Sequence, residues 1–124
     1  MKIRKTVLPA LFSLALINSP AILADSMHSM AEVMMNLNHH PSESEKETLK
    51  IIANDSSASA HERTLATATM NLYHKASAAD KDKLSKIMND ASAPANVRDL
   101  AAIIYNLDHK PSAQDKEKLY RMMQ

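Results

Sequence analysis

The chain has no cysteine, no glycine and no tryptophan, and its one phenylalanine is Phe12. Each absence removes a class of explanation. Without cysteine there is no disulfide and no thiol chemistry, although an exported protein normally lives where disulfides form. Without glycine there is no phosphate-cradling loop and no G-x-S-x-G nucleophile turn. The aromatics that remain beyond the amino terminus are Tyr73, Tyr105 and Tyr120. The core must therefore be built from Leu, Ile, Val, Ala and Met. Thioether side chains fill gaps but specify packing weakly, which predicts an adaptable core of modest stability.

The amino terminus reads as a secretory leader. Lys2, Arg4 and Lys5 form a basic start, Thr6 to Ile17 an apolar run, and Asn18-Ser19-Pro20 a break. Cleavage is expected between Ala24 and Asp25, with Ala21 as the alternative. The run is too short for the roughly 20 residues of a comfortable membrane span, so no stable insertion is expected after cleavage. This divides the chain into a signal peptide, 1–24, and one domain, 25–124. Of 15 basic residues the leader removes 3, leaving 12 against 14 acidic, a net of −2. Phosphate recognition needs clustered Lys and Arg, so nucleic acid is not an expected partner.

What is present is a repeat. Asn36-Leu37-Asn38-His39-His40-Pro41-Ser42, Asn71-Leu72-Tyr73-His74-Lys75-Ala76-Ser77 and Asn106-Leu107-Asp108-His109-Lys110-Pro111-Ser112 stand 35 residues apart (71 − 36 and 106 − 71). Such a period is typical of helix-turn-helix arrays, whose units bury their apolar faces against one another. Asn36, Asn71 and Asn106, with His39, His74 and His109, define the units.

Two helix types alternate. One carries the stripes Met30/Val33/Met34/Leu37, Leu65/Ala68/Thr69/Leu72 and Leu100/Ile103/Ile104/Leu107, at i, i+3, i+4, i+7. It is expected to run to about Asn38–His40 in the first unit, before Pro41. The other starts at Ser42-x-x-Glu45, Ser77-x-x-Asp80 and Ser112-x-x-Asp115, each a capping box. Its stripes are Leu49/Ile52/Ala53, Leu84/Ile87/Met88 and Leu119/Met122/Met123. Asn54 and Asn89 are expected to close these helices in the left-handed conformation, glycine being absent. Ser59-x-x-Glu62 caps one helix of the first type, and Pro94 suits the first helical position of another. The expected fold is all-α: tandem helix-turn-helix repeats stacked into a compact six-helix array. Its terminal half-units either cap the ends or meet if the array curls, and a compact right-handed curl or bundle-like disc is expected over an extended rod.

Four features invite a chemical reading. His39, His74 and His109 recur in phase, and Met35 and Met70 lie four residues before the first two on the same helical face. Thioether with imidazole suits Cu(I) or Ag(I). Against this, a linear stack holds successive histidines about 10 Å apart, and an imidazole at a helix end also serves free carbonyls. The amino-terminal Met27, His28, Met35, His39 and His40 form the densest run of soft donors once Met30 and Met34 are assigned to the core. With Met70 and His74 these are the candidate metal ligands. His61-Glu62 opens like the zinc-protease H-E-x-x-H but has Leu65 in place of the second histidine, so it reads as a cap beside a surface histidine. Asn36, Asn71 and Asn106 either hydrogen-bond the following helix or line a groove.

No catalytic constellation is present, and the chain is read as a non-enzyme with no required cofactor. The leading expectation is an exported, periplasmic, non-catalytic helical-repeat protein that binds a protein or peptide: an inhibitor or immunity protein, a chaperone-like factor or an envelope adaptor. The alternative is a periplasmic Cu- or Ag-binding protein using Met and His of the first helices.

Overall fold

The computed structural model describes residues 26–124; the expected leader and its expected cleavage site lie outside the described residues. Six helices account for most of this chain: α1 Ser26–Met35, α2 Glu43–Ala53, α3 Ala60–Met70, α4 Ala78–Met88, α5 Ala95–Tyr105 and α6 Ala113–Met122. There is no strand among the described residues, and the protein is all-α. No described helix is long and apolar enough to cross a membrane.

The helix starts follow from their caps. Ser42, Ser59, Ser77 and Ser112 each accept, through the side chain, the backbone N–H three residues on. Only Ser42 completes the reciprocal box, its N–H donating to Glu45 Oε1 at 2.8 Å. Asp80 and Asp115 are one methylene shorter than glutamate. Asp80 instead accepts from Asn71 Nδ2 at 3.3 Å, and Glu62 Oε1 accepts from Ser26 Oγ at 3.2 Å. Pro94 is the N-cap of α5 rather than its first helical residue, and it makes no side-chain cap bond. Ser42→Ala is expected to lower stability by about 1 kcal/mol. A urea midpoint equal to that of the parent protein would contradict it.

The helix ends differ from expectation. Helix α1 stops at Met35, because Asn36 turns the chain and Leu37 N–H bonds Met34 O at 3.3 Å. Asn54 and Asn89 keep φ at −100° and −97°, so neither is left-handed. Asp55 and Asp90 make that conformation unnecessary. Their Oδ1 atoms accept the N–H of Ser57 and Ser92, both at 2.9 Å, closing each turn by a side-chain route.

The predicted stripes form one core. Met30, Met34, Leu49, Leu65, Leu84, Leu100, Ile104 and Leu119 are fully buried, while Ala53, Met88, Met122 and Met123 pack partly exposed at its margin. Ala31, Ala66 and Ala101 are also fully buried, and the absence of a longer side chain there lets helices approach closely. Thr69, the buried polar member of its stripe, returns its hydroxyl proton to Leu65 O at 2.7 Å.

The packing order closes the array. Helix α2 packs on α3 and α4 on α5 as hairpins, while α6, the last helix, packs on α1, the first. The two half-units therefore meet, and the third helix pair is made from opposite ends of the chain. This closure brings the three loops after α1, α3 and α5 to one place.

Candidate metal centre

Each of those loops has the same anatomy. Leu37, Leu72 or Leu107 is buried before the turn, and Pro41, Ala76 or Pro111 is buried after it. Between two such anchors the chain must reverse within a few residues. His39, His74 and His109 do this with φ of 78°, 70° and 72°, the three positive-φ residues among those described. Such a backbone costs a non-glycine residue about 1–3 kcal/mol, and histidine tolerates it better than most. The left-handed positions thus fall on the histidines and not on Asn54 and Asn89.

The three turns interlock. His39 N–H donates to His109 O at 2.9 Å, His109 N–H to His74 O at 2.7 Å, and His74 N–H to His39 O at 2.6 Å. This is a closed cycle of backbone hydrogen bonds, one link per loop. The side chains follow. The His39 and His74 ring centres are 4.7 Å apart, His39 and His109 5.0 Å, and His74 and His109 4.7 Å. One nitrogen from each ring lies within 4.8 Å of the others. The separation of about 10 Å expected for a linear stack does not apply, because the units curl and the loops converge.

Neighbouring groups orient the rings. His109 Nδ1 meets Asp108 Oδ1 at 2.7 Å, a contact in which Nδ1–H donates to the carboxylate. Carboxylates in this position orient metal-bound imidazoles and raise their basicity. Tyr73 packs edge-on against His74 at 4.6 Å and stacks on His40 at 5.8 Å. His74 Nδ1 is buried and has no hydrogen-bond partner in the protein, alone in this among the side-chain polar atoms of the described residues. A buried lone pair or N–H without a partner is costly, and such atoms are rare in folded chains.

Burial pushes the His74 pKa down, and His109, His39 and His40 push it further, against a smaller opposing pull from Asp108. Adjacent imidazoles resist sharing positive charge. The unfolded chain titrates its histidines near pH 6.5. Above that value neither state protonates His74, and its contribution to stability is fully present. As pH falls below about 6.5 the unfolded chain takes the proton first, so stability is lost. The urea midpoint is expected to drop as pH falls below about 6.5, and His74→Gly should flatten that slope.

Of the other candidate ligands, Met27, Met35 and Met70 pack against the hydrophobic core. His28 is exposed on α1 and His40 lies beside Tyr73; neither belongs to the converging group. The structure therefore brings His39 and His74 together with His109 and packs Met27, Met35 and Met70 against the core. The missed signal was a left-handed residue at each loop in a chain without glycine. The asparagines divide: Asn71 bonds the following helix, Asn106 Nδ2 returns to Ala102 O at 3.0 Å, and Asn36 lines a shallow groove.

Elsewhere, His61 Nε2 pairs with Asp90 Oδ2 at 2.8 Å, tying the start of α3 to the turn between α4 and α5. Hydrogen bonds from Ser92, then from His61, hold the Asp90 carboxyl down at about 2. Grooves between neighbouring helices are lined by Arg63, Asp80 and Lys83 in one place and by Glu32 and Glu45 in another. Their charges differ, so no one ligand class fits them. No protein-family model, curated protein or solved structure matches the chain.

Proposed function

We propose that this is an exported, non-catalytic protein that binds a borderline divalent ion through His39, His74 and His109. The observation that carries the reading is the convergence of three imidazole nitrogens to within 4.8 Å, one from each loop. Zinc bound to nitrogen at about 2.0–2.1 Å in a tetrahedral site sets its donors about 3.3 Å apart. Rotation of the rings over that small gap suffices. Imidazole sets suit Zn(II), Cu(II) and Ni(II), while Cu(I) and Ag(I) favour the thioethers that here serve the core. Three ligands leave a fourth position for solvent or a small ligand.

The leader-like amino terminus supports export to the periplasm. For the partner-binding expectation, the large apolar side chains exposed among the described residues are Ile51, Tyr73 and Tyr120. Calorimetric titration of the purified protein with Zn(II), Cu(II), Ni(II) and Ag(I) tests the metal reading. One saturable site for a divalent ion is expected. His74→Ala should weaken it by more than about 100-fold and Asp108→Asn by about 10-fold, since loss of a group that orients a ligating imidazole typically costs about 10–100-fold. Binding that survives His74→Ala but is lost in Met35→Leu would return the site to the soft donors of the first helix.

A further inference from the structure

We infer that the ion is a clasp for the split helix pair, so that its occupancy decides whether the two ends of the chain stay docked. This rests on the metal reading above. Two of the three helix pairs are joined by short turns, α2–α3 through 54–59 and α4–α5 through 89–94. The third, α6 on α1, has no such turn and is held by contact alone.

That seam is thin on one side. Helix α6 buries Leu119 alone, whereas its counterparts bury Leu49 with Ile52 in α2 and Leu84 with Ile87 in α4. Terminal elements with few buried contacts open before the rest of a fold. The two loops beside this seam carry His39 and His109, joined directly by the bond from His39 N–H to His109 O. An ion held by both would cross-link positions 70 residues apart in sequence (109 − 39). Cross-links that close long loops restrict the opened chain most. Opening of α1 or α6 separates the ligands and must release the ion. By linkage, zinc at 100 times its Kd then disfavours that opening about 100-fold.

Amide hydrogen exchange on the protein expressed as its full chain tests this, with zinc binding followed in parallel by calorimetry. Without zinc, α1 and α6 should exchange fastest of the six helices. With zinc, their exchange should slow up to about 100-fold, and by a larger factor than in α2 to α5. His109→Gly keeps a residue suited to the left-handed turn, and zinc should leave its exchange pattern unchanged. Zinc that binds without slowing α1 and α6, or that slows all six helices equally, overturns the clasp but leaves the metal site standing. Absence of a saturable site for Zn(II), Cu(II) and Ni(II) alike overturns both.

Discussion

Leu119→Ala is expected to lower stability by about 2–5 kcal/mol, the usual range for emptying a fully buried leucine site. Leu119 is the single buried side chain of α6, so its truncation removes the anchor of that helix along with some core volume. For a domain of this size total stability is about 5–15 kcal/mol, and each kcal/mol is worth about 4–8 °C in Tm. A fall of roughly 8–40 °C follows. The flanking residues cannot compensate. Tyr120 is exposed, and Met122 and Met123 sit at the core margin. Thermal melts followed by circular dichroism decide the matter. A fall of less than about 4 °C, under 1 kcal/mol, would mean that α6 is held by something other than this leucine.

The same residue shows what the sequence made legible. Leu119, Leu84 and Leu49 are readable as core because apolar positions recur at helical spacing behind a capped start. The stripes of α1, α3 and α5 are readable for the same reason, down to the buried Thr69. The caps were half legible. A serine three residues before an acid marks a helix start, but whether the acid reaches back depends on its length, and only Glu45 does so.

Closure was legible only as a preference for a compact curl over an extended rod. A period fixes which elements are neighbours; the rotation from one unit to the next fixes whether the array runs straight or curls. That rotation depends on how closely helices approach, at positions such as Ala31, Ala66 and Ala101, whose small size carries little signal in a sequence rich in alanine. The histidine positions inherit the difficulty. In a straight stack they are separate helix-end residues; in the curled one they share an axis. The left-handed conformation was assigned to asparagine by propensity, and the Asp55 and Asp90 turns removed the need for it there. The demand arose instead where a buried leucine and a buried proline or alanine pin both sides of a short loop.

A second large effect separates what the histidines do for the backbone from what they do for a ligand. Replacing His39, His74 and His109 together by glycine is expected to abolish metal binding while leaving the protein folded. Replacing all three by alanine should abolish binding and also destabilise the fold. Glycine adopts φ near 70° without steric cost, whereas alanine there carries about 1–2 kcal/mol of strain. Glycine also gives the unfolded chain more freedom, which offsets about 0.5–1 kcal/mol at each site. A net difference of roughly 2 kcal/mol between the two triple variants follows, or roughly 8–16 °C in Tm. Both variants lose the edge-to-face ring contacts equally, so that loss cancels in the comparison. If the alanine variant is as stable as the glycine variant, the left-handed turns at residues 39, 74 and 109 are wrong. If the glycine variant still takes up Zn(II) at one site with the parent affinity, the imidazoles are not the ligands, and the three rings serve only to fill the end of the helical ring.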